Sequence, residues 1–209
     1  APFSMAIKSI EWLGFYEAAK VTAKSEWMRD EIVRIHNVPV DKIHVIQNLL
    51  GKVDVLILGG GMTYTFLKAK GYEIGKSIRE EEQLKYSLDM IELAKKNKVK
   101  LMLPVDIVVA REFSENSESK NVDINSIPKD WEGMGIGEKT VELYKSEISK
   151  AGTIFWNGPM GVFEFDRFAN STKEIANAIA QSGAITVAGG GDTLAAIKKF
   201  NLTGKFTHV

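Results

Sequence analysis

The sequence predicts an α/β fold: a doubly wound parallel sheet with helices on both faces. Two observations carry this. From Val53 onward, short apolar runs of strand length alternate with stretches of helical periodicity. The strands are nearly continuous in apolar residues, as strands buried on both faces are, and strand–helix alternation implies parallel pairing through right-handed crossovers. The second observation is a device used twice. An apolar strand runs into three glycines and then into a helix-forming run, once as VDVLIL-GGG-MTYTFLKAK and again as AITVA-GGG-DTLAAIKK. In a Rossmann-like sheet of this kind ligands bind at the carboxyl ends of the strands, and both glycine turns fall there.

Each element follows from local signals. Pro2–Ile7 is a weak first strand. Ser9 can cap a helix over IEWLGFYEAA, which Gly14 weakens. Lys20–Lys24 is strand-like, and Ser25 caps EWMRDEIVRIH, with Met28, Ile32 and Ile35 as its apolar stripe and Asn37-Val38-Pro39 as its stop. Asp41–Leu50, DKIHVIQNLL, reads either as a strand at KIHVI or as a helix with Ile43, Ile46, Leu49 and Leu50 on one face and Gly51 beyond its end. The helix is favoured, because a strand at 43–46 leaves only a short link before VDVLIL. Downstream, MTYTFLKAK is a helix closed by Gly71. EEEQLKYSLDMIELAKKN is a long helix with Leu84, Leu88 and Ile91 on one side, and VKLML is a strand reaching Pro104. Asp106–Glu112 continues past it, and ENSESKNVDINSIPKD is a polar excursion. Glu138–Lys150 and Ser171–Gln181 are helices, and TIFW and AITVA strands.

Composition excludes several classes of function. Lys+Arg and Asp+Glu both number 27, so no net field draws nucleic acid or an anionic membrane. With 44% hydrophobic and 26% charged residues the chain can build an ordinary globular core, and 1–209 is expected to fold as a single domain. There is no cysteine, which fits a reducing compartment, and no apolar run approaches the roughly 20 residues of a membrane span. The opening APFSMAIKSIEW lacks the regions of a signal peptide, so a cytoplasmic location is expected. His36, His44 and His208 are isolated, which argues against zinc, and Trp12 and Trp27 read as core or interface residues.

The chemistry concentrates in the turns. A helix N-terminus offers free N–H groups and the positive end of the dipole, and glycines let backbone approach a ligand with no Cβ in the way. Asp192 can cap its helix, hold magnesium, or both. Neither turn is a dinucleotide motif, because Tyr64 and Leu194 stand where the third glycine of GxGxxG belongs, and no GxxxxGK[ST] loop occurs. The structural alternative for each turn, tight packing with no ligand, stays open. Between the copies, TIFW runs into Asn157-Gly158-Pro159, a strong turn signal.

GGGMTYTFLK, LPVD, WNGPMGVFE and AGGGDT, in this order, resemble the C-terminal, nucleotide-binding domain of phosphoglycerate kinase over Asp41–Val209. The resemblance implies an adenine nucleotide, ADP or ATP, bound with Mg2+. Gly59, Gly60, Gly61 and Gly133 would form the adenine pocket, and Asn157, Pro159, Gly161 and Val162 would line the site. Glu164 would bind the ribose hydroxyls. Gly189, Gly190, Gly191, Asp192 and Thr193 would hold the phosphates, with Asp192 on the metal. Lys42, matching the second lysine of the family's GGAKVSDK motif, would pair with a phosphate. This sequence departs from the family in three ways. Ile35, His36, Asn37 and Val38 replace GGAK. Glu132 and Gly135 stand where a Met and an Asp are usual. The chain stops at THV, where the family continues into STGGGAS. The basic, triose-binding N-terminal domain is also missing, so no turnover is expected from this chain alone, and a separate N-terminal domain is a possible partner.

The opening resembles a different family. SIEWLGFYEAAKVTAKSEWMRDEIVRIHNVPVDKIHVI is similar to a helix–strand–helix–strand stretch of glycogen-synthase-type glycosyltransferases, although Gln47-Asn48-Leu49-Leu50 replaces the usual PNG continuation. The two resemblances together imply a chimera, joined near residue 40. Its alternative reading is a structural hybrid with no working site.

Overall fold

The structure, a computed structural model, describes residues 53–209 and two short strands, β1 (Val21–Ala23) and β2 (Ile43–Val45). The chain divides into two compact units, Ala1–Leu56 with Leu93–Lys100, and Ile57–Glu92 with Leu101–Val209.

In the first unit β1 and β2 pair in parallel, with Val21 opposite Ile43 and Ala23 opposite Val45. Val21–Ala23, within the Lys20–Lys24 run expected to be strand, is strand, but Asp41–Leu50 is not a helix throughout, because Ile43–Val45 is strand. Ile43 and Val45 are β-branched and lose side-chain freedom in a helix, and ten residues are too few for helical periodicity to prevail over a pairing partner. The helices expected after Ser9 and Ser25, and Lys42, lie outside the described residues.

The strands β3 (Val55–Ile57) and β4 (Lys100–Met102) pair with each other. The second unit contains α1 (Met62–Ala69), β5 (Asp106–Ala110), β6 (Ser119–Asp123), β7 (Glu132–Ile136), α3 (Glu138–Ile148), β8 (Thr153–Asn157), α4 (Asn170–Gln181), β9 (Ile185–Gly189) and α5 (Gly191–Lys199). The long helix α2 covers Leu84–Lys96. Its buried residues are Ser87, Met90 and Ala94, whereas Leu88, placed on the apolar side by sequence, is 44% exposed. Leu84 and Ile91, expected on the same side, are half-buried.

The strands β8 and β9 are parallel and in register from Thr153↔Ile185 to Asn157↔Gly189. Beyond β9, His208 adds a parallel bridge to Val187, its N–H donating to Thr186 O and its carbonyl accepting from Ala188 N, both at 2.9 Å. Trp156 and Ala188 face a core completed by Val141, Tyr144 and Ile148 of α3, Ile175 and Ile179 of α4 and Ile197 of α5. Strand–helix alternation thus yields parallel pairs clad in helices, the α/β class that the sequence predicts. The Tyr144 hydroxyl donates to Leu58 O at 2.7 Å, and burial raises its pKa far above the usual phenol value.

The polar excursion is not irregular. Its middle, Ser119–Asp123, is β6, followed by a 3-10 turn at Ile124–Ser126, and the stretch after Trp131 is β7. They flank β5 in an antiparallel sheet of order β6-β5-β7. β6 reads SKNVD and β7 reads EGMGI, so neither shows an apolar alternation, and glycine disfavours strands. Trp131 is buried beneath two cations, with Arg111 Cζ 4.8 Å and Lys120 Nζ 4.4 Å from its ring centroid. Among the described residues no helix is long and apolar enough to cross a membrane.

Candidate nucleotide site

One segment, Asn157–Val162, touches both glycine turns. It leaves the carboxyl end of β8 through Gly158 at φ +100°, a conformation that favours glycine. Trp156 Nε1 donates to Gly158 O at 2.8 Å, and Gly158 N donates to Thr193 Oγ1 at 2.7 Å. The turn is thereby tied to the first turn of α5. On the same side the Asn157 amide lies beside the β9–α5 turn: a Cβ on Gly190 would sit 3.1 Å from Asn157 Nδ2, and Gly190 itself has φ +93°.

The next residues meet the first glycine turn. A Cβ on Gly59 would overlap Met160 Sδ, and one on Gly60 would lie 2.6 Å from Pro159 O, with φ already at +64°. Gly61 is looser, its nearest neighbour being Ile78 Cγ2 at 3.3 Å. Gly161 then crosses Gly135 so closely that a Cβ would overlap the Gly135 Cα and Met134 O. The crossing is hydrogen-bonded through Ile136 N to Met160 O at 3.2 Å and Val162 N to Met134 O at 2.7 Å. Met160 N donates to Thr172 Oγ1 at 3.2 Å, and Val162 packs against Ala110, Met134 and Phe168.

The structure therefore brings together Gly59–Gly61, Asn157–Val162 and Gly189–Thr193. Gly133 joins them through Tyr64. A Cβ on Gly133 would overlap the Tyr64 ring, which is buried and whose phenol pKa is raised by burial and by nearby Glu132. Its N–H donates to Ser77 Oγ at 2.9 Å. Gly135, where the resembled family has Asp, is buried, and a side chain there would start 3.0 Å from Ser171 Oγ, a buried hydroxyl with no hydrogen-bond partner among the described residues.

The second turn differs from the first in one respect. Gly191 has nothing within 4 Å of a built Cβ and an ordinary φ, and Gly189 has only ordinary contacts, the nearest at 3.6 Å. No internal contact requires glycine at either position. Gly190 is the N-cap of α5 and no side chain caps that helix, so Asp192 is not the cap that the sequence allows. Asp192 is exposed within the first turn, where a carboxylate is favoured by the dipole. Leu194 N, bonded to Gly190 O, is the first intrahelical donor, and the preceding N–H groups have no acceptor within the helix. Thr193 is fully buried, its hydroxyl occupied by Gly158 N. Among the described residues no three His, Cys, Asp or Glu side chains cluster as a metal cage. Mg2+ binds through one or two carboxylates plus phosphates, and a lone Asp192 at a helix N-terminus fits a metal that arrives with its ligand.

Glu164 is exposed, on a segment held by Lys199. Lys199 Nζ donates to Phe163 O at 2.9 Å and Glu164 O at 3.0 Å, and pairs with Asp166 Oδ1 at 2.7 Å. Met160, Thr172 and Lys199 were not singled out from sequence.

Most of the chain is similar to proteins of one family. The family model described as phosphoglycerate kinase matches residues 38–209. The chain is 52% identical over 169 residues to a phosphoglycerate kinase of Clostridium tetani and 51% identical to one of Clostridium kluyveri, each alignment covering 81% of this chain and 42% of the relative. A phosphoglycerate kinase structure from Coxiella burnetii superposes with a TM-score of 0.78 at 38% identity, over 98% of this chain and 51% of that one. One from Pyrococcus horikoshii OT3 gives 0.62 at 29% identity, over 99% and 50%. The chain spans about two fifths of the length of the curated relatives it matches. With the family model matched from residue 38 to the last residue, the chain belongs to the phosphoglycerate kinase family.

Proposed function

We propose that this chain is the nucleotide-binding half of a phosphoglycerate kinase and binds MgADP or MgATP. The family reaction is phosphoryl transfer between 1,3-bisphosphoglycerate and ADP. The observation that carries the reading is the β9–α5 turn: glycines with no internal reason to be glycine, unpaired N–H groups and an exposed carboxylate meet at one strand end. Phosphoryl transfer needs positioning and charge neutralisation more than covalent help, and this turn offers both. Adenine would lie toward Gly59–Gly61 and Gly133, the ribose at Glu164, and the phosphates at Gly189–Thr193. Asp192 would hold Mg2+, which would neutralise phosphate charge, and Lys42 would add a phosphate contact. Transfer requires closure over a second substrate, so we propose no turnover from this polypeptide alone, a role for a separate N-terminal domain, and a cytoplasmic setting.

Calorimetric titration with MgADP tests this. The loss of the lysine at position 38 removes one charge-assisted contact, about 1.5–3 kcal/mol and so roughly one to two decades of affinity. Binding weaker than in full family members is expected, weakened further by Glu164→Ala and, in a Mg2+-dependent way, by Asp192→Ala. A flat titration at millimolar MgADP would remove the proposal. Turnover in a coupled assay would remove the claim of inactivity.

A second reading concerns origin: residues 8–46 derived from a glycogen-synthase-type glycosyltransferase, joined as a structural hybrid with no functional site. The parallel β1–β2 pair supports it, since strands at 21–23 and 43–45 follow that family's order. Against it, the Coxiella burnetii superposition covers 98% of this chain. The calorimetric result separates a hybrid without a site from one that retains it.

A further inference from the structure

We propose that Lys199 is a positioning residue for this site, fixing the Glu164 segment relative to the phosphate turn at the other end of α5. The inference rests on the nucleotide reading above and deepens it. An ammonium group has three donors, and here Nζ reaches three oxygens of a single four-residue segment: Phe163 O, Glu164 O and Asp166 Oδ1. Asp166 is 84% exposed, so its ion pair alone contributes little. The two carbonyls matter more, because they set the backbone from which the Glu164 side chain extends. The same segment is held a second time by packing: Phe163 is buried in a cluster with Ala169, Ala196 and Phe200, and Ala196 lies on α5 one turn before Lys199. One helix therefore carries the phosphate turn at Gly191–Thr193 and grips the ribose-facing segment at its last turn. A helix is stiff, so the two ends of a nucleotide would be read by one rigid body, and Lys199 is its polar link to the ribose end.

The test compares MgADP, its 2′,3′-dideoxy analogue and magnesium pyrophosphate on the wild-type chain, Lys199→Met, Lys199→Arg and Asp166→Ala. Wild type should prefer ADP over the dideoxy analogue by about ten- to hundredfold, the worth of hydrogen bonds to a charged acceptor. Lys199→Met should lose most of that preference while binding pyrophosphate as wild type does, and Lys199→Arg should restore part of it. A residue that only stabilised the fold would change the melting temperature and leave the preference intact. Asp166→Ala keeps both carbonyl bonds and should change the preference little. If Lys199→Met fails to fold, Lys199→Arg decides the matter, since a planar guanidinium cannot place its donors on the two carbonyls as the ammonium does and should lower the preference about two- to threefold. An unchanged preference in the deciding variant overturns the proposal while leaving the nucleotide site standing. Absence of any binding to wild type overturns both.

Discussion

Gly161 and Gly191 are glycines for different reasons. Gly161 crosses the Gly135 backbone with no room for a Cβ, and the atoms it would strike are main chain and cannot rotate away. Gly161→Ala should destabilise the fold by about 3 kcal/mol, at the upper end of overpacking costs. Gly191 meets nothing, and an Ala in the first turn of α5 should leave stability unchanged or raise it by about 0.5–1 kcal/mol. If a phosphate lies against that backbone, Gly191→Ala must nevertheless weaken MgADP binding. Denaturant melts and calorimetry on the two variants separate packing from ligand approach. Loss of stability in Gly191→Ala, or unchanged affinity, would contradict the assignment.

Among the elements, the legible ones carry either a long apolar period or a strand–glycine–helix junction. β3, α1, β8, β9 and α5 fall where those signals place them. β6 and β7 were illegible because their pairing comes from β5 and not from their own composition: Lys120 and Asn121 or Gly133 and Gly135 do not advertise a strand. Asp106 shows the same limit. The sequence offers it only within LPVD, yet the structure makes it the junction of β5 and α3. It is 1% exposed and accepts from Asn121 Nδ2 at 2.7 Å, Thr140 Oγ1 at 2.6 Å, Thr140 N at 2.9 Å and Lys139 N at 3.1 Å. Burial pushes its pKa up, but hydrogen bonds from Thr140, Asn121 and Lys139 outweigh this and hold it below the ordinary value. A depressed folded pKa means stability that is fully present above the unfolded value, about 3.9, and lost as pH falls through the folded value. Acid melts should therefore lose this contribution below about pH 4, a loss missing from Asp106→Asn. At neutral pH Asp106→Ala should cost about 3 kcal/mol through buried donors left unpaired. Parallel acid profiles for wild type and Asp106→Asn would contradict this.

For the whole molecule, the glycine turns, the NGPMGV loop and Glu164 were readable in sequence because each is a departure from ordinary strand or helix composition. What sequence did not reveal is how they meet, through Met160, Gly161 and Thr193. The proposal that 1–209 folds as a single domain predicts that limited proteolysis yields no stable fragment beginning near Asp41, and gel analysis that finds one would refute it. The central claim, that Asn157–Val162 gathers both glycine turns into one nucleotide site, has a more direct test. Amide chemical shifts followed while MgADP is added to the 15N-labelled chain should move together at Gly59–Gly61, Gly158–Gly161 and Gly189–Thr193, with one saturation curve. Shifts at neither glycine turn at millimolar MgADP, or at only one of them, would contradict it.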